Sequence, residues 1–356
     1  MKYVYGVVPS QQVHGRQLHL TGLQGAPLQT VACNGISAIV SEAVPYDYAS
    51  LPKQQLVKVL AQHQQATERI MQETATLLPV KFGTLLSEVD VEKLLMQSKY
   101  DLEEALARVD DKVELEVLAM WDPQRVFAQI AQHPQIAALR SQAEGKSPQE
   151  VQQLQIAVGV LVKQLLDATR EAYSAKIRQA LSDLATDVEV NAVINDQVVT
   201  NLAFLLPKSK QAEFDRKVEM PDHEFGGQLL FKVVGPLPPY SFSTIEVEQI
   251  LPEDVTWASD LLGVEPTATG DEIRSAYLRQ ARLHHPDNNP QDQDAANLFK
   301  DDHTAYRLLR YCLVMQKRAV ASDAPESDFR CDLAQAATGG LLRVNISRSS
   351  ELAARN

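Results

Sequence analysis

Residues 261–287 read LLGVEPTATGDEIRSAYLRQARLHHPD, and the parsing of this stretch decides the C-terminal part of the chain. Ile273, Ala276, Tyr277 and Ala281 recur at helical spacing and form one apolar stripe. After a polar interval, Leu298, Phe299, Ala305, Tyr306 and Leu309 form a second stripe, so the pattern predicts an antiparallel helix hairpin. Thr269, with Glu272 three residues on, is placed to cap the first helix. Pro286 cannot continue that helix and biases the residue before it towards extended backbone. The tripeptide His285-Pro286-Asp287 is therefore expected to project from the hairpin as a polar loop.

The 356 residues predict two or three domains, each able to bury a core. A hydrophobic fraction of 45% and a charged fraction of 22% are those of an ordinary globular protein. The net charge of -12 argues against a general nucleic-acid coat, which needs Lys and Arg in excess. Cys33, Cys312 and Cys331 are scattered, so they form neither a disulfide framework nor a zinc spacing, and fit a reducing cytosol. No apolar run approaches the roughly 18 residues of a membrane span, and the run at residues 3–9 is too short for a signal-peptide core. No Gly-rich phosphate loop, metal-ligand cluster or nucleophile motif is visible, so neither a cofactor nor an enzymatic activity is expected.

In the first 250 residues, strands and helices interleave. Residues 3–8 read as a strand ended by Pro9, and residues 30–33 and 36–40 as a hairpin around Asn34-Gly35. Helices follow on Leu56, Leu60, Thr67, Ile70 and Met71, and on Val91, Leu94, Leu95, Leu102 and Leu106. The alternating stretch from Val113 is expected to close a first domain at 1–122, with Glu114 and Glu116 on a solvated sheet face. Pro134, Gly145 and Pro148 interrupt helical fragments over 123–147, and a long helix starts at Val151. Two strands around Asn195-Asp196 and a last strand at 229–234 complete a second domain at 123–252. Pro236, Pro238 and Pro239 predict that the last strand gives way to a rigid exit loop.

Five segments, YVYGVV (3–8), TLLPVKFGTLL (76–86), VELEV (113–117), NLAFLL (201–206) and above all GPLPPYSF (235–242), resemble the gas vesicle protein GvpL/GvpF family. Leu237 stands where that family usually carries Trp. The resemblance implies an α+β fold of two α/β sandwich lobes, at least one ferredoxin-like. It also implies a gas-vesicle location in the cytoplasm, and association with the gas vesicle shell protein and other accessory proteins. An apolar shell subunit is an aggregation hazard before assembly, and rigid aromatic loops bind at low entropic cost. Phe82, Pro238, Pro239, Tyr240 and Phe242 are thus candidate subunit-binding residues, with packing of their own domain as the other reading.

Residues 255–319 resemble a J-domain, through the Ala276-Tyr277 pair, the HPD tripeptide, Phe299-Lys300 and Ala305-Tyr306. The resemblance implies a small all-α hairpin contacting a DnaK-type chaperone through Arg274, Arg279, Arg282, His285, Pro286 and Asp287. Leu278 and Leu283 replace basic residues common in that family, and Gln280 a usual Leu. Asp302 replaces a core Ile, and is expected to pair or reach the surface. Ala258-Ser259 replaces an aromatic pair, for which Trp257 is expected to compensate. Residues 320–356, rich in Ser, Asp and Ala and carrying Gly339-Gly340, are expected to be a mobile tail. Together the resemblances predict an assembly co-chaperone, with no nucleic acid or membrane as partner. The alternatives are a minor structural component in which the J-like part only docks, and a J-protein for general clients.

Overall fold

The computed structural model describes residues 1–350 apart from Gln17, Glu144, Ile194, Asp196, 220–228, Pro290, 292–293 and 339–340. The chain divides into two compact units, one made of residues 1–246 and 346–356 and the other of 247–345.

The first unit contains two antiparallel sheets. β1 (Lys2–Pro9) is central in the first, between β3 (Ile36–Glu42) and the short β4 (Leu78–Pro79) and β5 (Leu85–Leu86), with β2 (Leu28–Cys33) outside β3. Asn34 (φ 49°) and Gly35 (φ 93°) make the tight β2–β3 turn as predicted. α1 (Lys53–Glu73) packs Ala66 and Ile70 onto Tyr3, Tyr5 and Ile39. α2 (Glu88–Gln97) and α3 (Lys99–Val109) bury Leu94, Leu95, Leu102 and Leu106.

The second sheet starts with β6 (Lys112–Trp121), so the stretch expected to close the first domain instead opens the second sheet. Period-2 alternation shows that a strand has one buried face, but not which strands it joins. α4 (Pro123–Ala131), α5 (Pro134–Ser141) and α6 (Pro148–Leu181) lead to β7 (Asp187–Asn191) and β8 (Val198–Pro207), then α7 (Gln211–Glu219) and β9 (Leu229–Leu237). The prolines at 123, 134 and 148 each sit in a helix's first turn, where the missing N–H costs nothing, and they start helices rather than interrupt them. The order β7-β8-β6-β9 with all pairs antiparallel is that of a ferredoxin-like sheet. Val113, Leu115, Val117 and Ala119 on one face of β6 meet Leu202, Phe204, Phe214 and Ile177. β9 runs through Gly235-Pro236 to Leu237, beyond the expected stop, because an edge strand tolerates a proline that donates to nothing.

The chain enters the second unit on β10 (Thr244–Ile250) and leaves it on β13 (Leu341–Ser347), and these two strands pair. Between them lie α8 (Pro252–Leu262), β11 (Thr267–Ala268), α9 (Gly270–His284), α10 (Ala295–Ala319), β12 (Cys331–Asp332) and α11 (Leu333–Thr338). Ile273, Ala276, Ala305 and Leu309 face one another in the α9/α10 hairpin. The Thr269 capping box is present, with Glu272 N–H donating to Thr269 Oγ1 (3.3 Å) and Thr269 N–H to Glu272 Oε2 (2.8 Å). Two expectations change. Ala258 is fully buried while Trp257 is 42% exposed, so the small residue faces the core and Trp257 does not compensate. The stretch expected as a mobile tail carries Cys331, Leu333 and Leu341 into the α8–α10 core, and Tyr311 donates to Leu342 O (2.7 Å). These few apolar residues are diluted in a polar segment, which is why composition hid them. Gly339-Gly340 and 351–356 lie outside the described residues.

Candidate functional site

In the second unit, α9 ends at His284 because His285 turns to extended backbone (φ -60°, ψ 128°) ahead of Pro286. The orphan carbonyls of that last turn are taken up by two asparagines. Asn288 Nδ2 donates to Arg282 O (3.1 Å), and Asn289 Nδ2 to Leu283 O (2.6 Å). The Asp287 N–H donates to His285 Nδ1 (3.1 Å), which makes Nδ1 an acceptor and leaves the proton of a neutral ring on Nε2. The ring stands edge-on to Phe299, centroids 5.2 Å apart, while the Asp287 carboxylate is 88% exposed. Arg274, Arg279 and Arg282 are all exposed on α9. Arg279 also reaches Leu262 O (3.5 Å) at the C-terminus of α8, where a cation is favoured. Leu278 and Leu283, at 41% and 61% exposure, interrupt the basic face.

In the first unit, the segment after β9 turns inwards. Pro238, Pro239, Ser241 and Phe242 are buried, and Tyr240 and Phe82 are half-buried. A directed chain of hydrogen bonds ties Tyr240 to both α1 and β1. Gly83 N–H donates to Tyr3 Oη (3.1 Å), Tyr3 pairs with His63 Nδ1 (2.9 Å), His63 Nε2 with Tyr240 Oη (2.9 Å), and Tyr240 donates to Thr67 Oγ1 (3.2 Å). Because Tyr240 spends its proton on Thr67, His63 donates from Nε2, and a neutral imidazole then accepts from Tyr3 at Nδ1. Burial points the same way, lowering the His63 pKa to about 4. One residue on, Ser241 donates its N–H to Glu114 Oε2 (2.8 Å) and its hydroxyl to Oε1 (2.7 Å). Glu114 is fully buried and Glu116 partly, which corrects the expected solvated face: the loop covers that side of β6. Burial pushes the Glu114 carboxyl up to about 8 against these two donors. Gly235 makes the close approach possible, with φ at +138° and Glu114 O only 2.8 Å from where a Cβ would stand.

The C-terminal strand returns residues 346–350 to this same place. Arg348 forms ion pairs with Asp187 (2.7 Å) and Glu189 and lies 5.8 Å over the Phe242 ring. Ser349 N–H donates to Ser241 O (2.9 Å), and its hydroxyl to Asn191 Oδ1 (2.8 Å).

A family model described as gas vesicle synthesis protein GvpL/GvpF matches residues 1–244. The chain belongs to the GvpL/GvpF family. Among its relatives, gas vesicle protein F of Dolichospermum flosaquae is 27% identical over 251 residues, covering 68% of this chain and 98% of that protein. The crystal structure of gas vesicle protein GvpF from an Anabaena species superposes with a TM-score of 0.56 at 27% identity, covering 67% of this chain and 96% of that one. The DnaJ domain model matches residues 260–318, and the DnaJ chaperone of Bordetella petrii is 46% identical over 50 residues, 14% of this chain and 13% of that protein. A GvpL/GvpF chain thus carries a J-domain at residues 260–318.

Within this GvpL/GvpF protein the six residues predicted for chaperone contact lie together on α9 and its loop. The five predicted for subunit contact are buried or half-buried: Phe82 stands edge-on to Tyr3 and His63, Tyr240 is hydrogen-bonded to His63, Phe242 packs with Ala203 and Leu205, and Pro238 and Pro239 are buried. Sequence reasoning missed His63, Thr67 and Arg348. His63 and Thr67 stand four apart on the buried stripe of α1, a spacing that marks one helix face but not a hydrogen-bond partner far along the chain. No helix among the described residues is long and apolar enough to cross a membrane, and no group of His, Cys, Asp and Glu among them could hold a metal ion.

Proposed function

We propose that the protein is a cytoplasmic accessory factor for building the gas vesicle shell, acting by binding rather than catalysis. The GvpL/GvpF unit holds shell or accessory subunits, and the J-domain recruits a DnaK-type ATPase to fold or release them. The observation that carries this reading is one covalent chain joining a GvpL/GvpF unit to a J-domain whose HPD loop is intact, capped by Asn288 and Asn289, and presents Asp287 to solvent. An aggregation-prone shell subunit needs a holder, and the same chain supplies the means of recruiting a release motor. The test is ATP hydrolysis by a DnaK-type chaperone titrated with the full chain. Stimulation that disappears in His285→Gln supports the reading, and absence of stimulation at every concentration sinks the chaperone half. Failure of the full chain to retain any gas vesicle protein in a pull-down sinks the other half.

A second reading is favoured by Leu278 and Leu283, whose exposed apolar side chains thin the basic face. In that reading the J-domain is a docking module of a minor shell component, and purified vesicles would contain the protein without any dependence on His285.

A further inference from the structure

Asp302 is the anomaly of the second unit. It lies wholly buried on the face of α10 that also carries Ala305 and Leu309. Its Oδ2 accepts from His284 Nδ1 at 2.7 Å, and its Oδ1 has no hydrogen-bond partner among the described residues. A carboxyl group held in an apolar hairpin with half its acceptor capacity unused is a cost to the fold, and an aliphatic side chain would avoid it. The side-chain hydrogen bond it makes among the described residues falls on the last residue of α9, directly before the HPD loop. Three residues earlier on α10, Phe299 meets the ring of His285. Two successive residues at the end of α9 are therefore held by two residues one turn apart on α10. The loop's own bonds, from Asp287 N–H to His285 Nδ1 and from the Asn288 and Asn289 N–H groups to His285 O, then fix Asp287 relative to His285.

We infer that His284 and Asp302 are a positioning pair, which sets the direction in which the HPD loop faces its ATPase partner. The inference rests on the J-domain reading above, and it explains why a buried acid stands in the hairpin. The hydrogen bond constrains a ring at the helix end, where apolar packing alone would leave the ring free to slide.

The experiment uses the full chain with Asp302→Ile, Asp302→Asn and His284→Phe. Asp302→Ile removes the acceptor while filling the core, so the unit should stay folded and melt no lower than the parent. Amide hydrogen exchange at residues 287–289 should nevertheless quicken by about tenfold, the expectation for loss of one charge-assisted bond. The concentration giving half-maximal ATPase stimulation should rise by a similar factor. His284→Phe should quicken loop exchange as Asp302→Ile does, but it strands the Asp302 carboxyl and should melt below the parent, whereas Asp302→Asn retains an acceptor for His284 and should stay near the parent in both readouts. Unchanged loop exchange in a folded Asp302→Ile overturns the inference whatever the ATPase shows. Parent-like stimulation by a folded Asp302→Ile overturns it as well. Absence of stimulation by the parent sinks the chaperone reading alone, since exchange still reports on the pair.

Discussion

His63 Nε2 and Tyr240 Oη lie 2.9 Å apart across 177 residues of sequence, and the bond between them joins α1 to the segment after β9. It is one link in a chain from Gly83 through Tyr3, His63 and Tyr240 to Thr67, in which burial keeps the imidazole neutral. The GvpL/GvpF motif residues Tyr240 and Ser241 are in this light the fasteners of a joint between two sheets.

Tyr240→Phe removes a hydroxyl that serves His63 and Thr67, and should cost about 1–3 kcal/mol by leaving buried polar groups unserved. The pH dependence tests the same joint. With the His63 pKa lowered to about 4, the unfolded chain binds a proton below the ordinary histidine value while the folded protein does not. The His63 contribution to stability is therefore complete above about pH 6.5 and is lost as pH falls from there towards 4. Melting temperature followed over that window should show the decline in the parent and a smaller one in His63→Asn.

Glu114 gives the opposite slope. Its carboxyl is pushed up to about 8 by burial, so between the ordinary glutamate value and pH 8 the unfolded chain releases a proton that the folded protein retains. Its contribution is complete below about pH 4.5 and is lost as pH rises towards 8. Glu114→Gln keeps an acceptor for Ser241 without the charge. The variant should gain stability over the parent as pH is raised from 5 to 8 in denaturant titrations; a constant difference across that range would count against a protonated Glu114.

Arg348→Ala should loosen the returning C-terminal segment. Glu189 is 8% exposed and faces Arg348, so truncation strands a mostly buried carboxylate and should cost about 1–3 kcal/mol. The half-buried Asp187 partner, whose carboxylate still meets solvent, adds less. Parallel thermal melts of the parent and Arg348→Ala at low and high salt should show the gap narrowing only slightly with salt, because the Glu189 side is shielded from solvent.

Much of the fold was legible because local rules governed it. Asn34-Gly35 dictated a hairpin, Thr269 with Glu272 a helix start, and the two apolar stripes the α9/α10 pair. What escaped was set by distant partners. Nothing in VELEV says that β6 will be central in a second sheet, or that Ser241 will bury Glu114. Pro238, Pro239 and Phe242 have the composition of an exposed recognition loop, yet a long-range contact with Ala203 and Leu205 turns Phe242 inwards. For Asp302, the desolvation argument left a partner or a surface position open, and the structure buries it against His284. The partner's identity needed the crossing geometry of the hairpin.

The pairing of β10 with β13 has a consequence for engineering and for proteolysis. The J-domain is spliced into its host at two points, and neighbouring strands of a sheet run only about 4.8 Å apart. A single cut in one of its loops would leave both pieces bonded to the host by peptide links, so nicking alone should not shed it. Conversely, the whole of 247–345 could be lifted out and its ends rejoined through a short bridge, keeping Arg348 on the same chain as Asp187 and Glu189. The J-domain unit is in that sense a removable cassette.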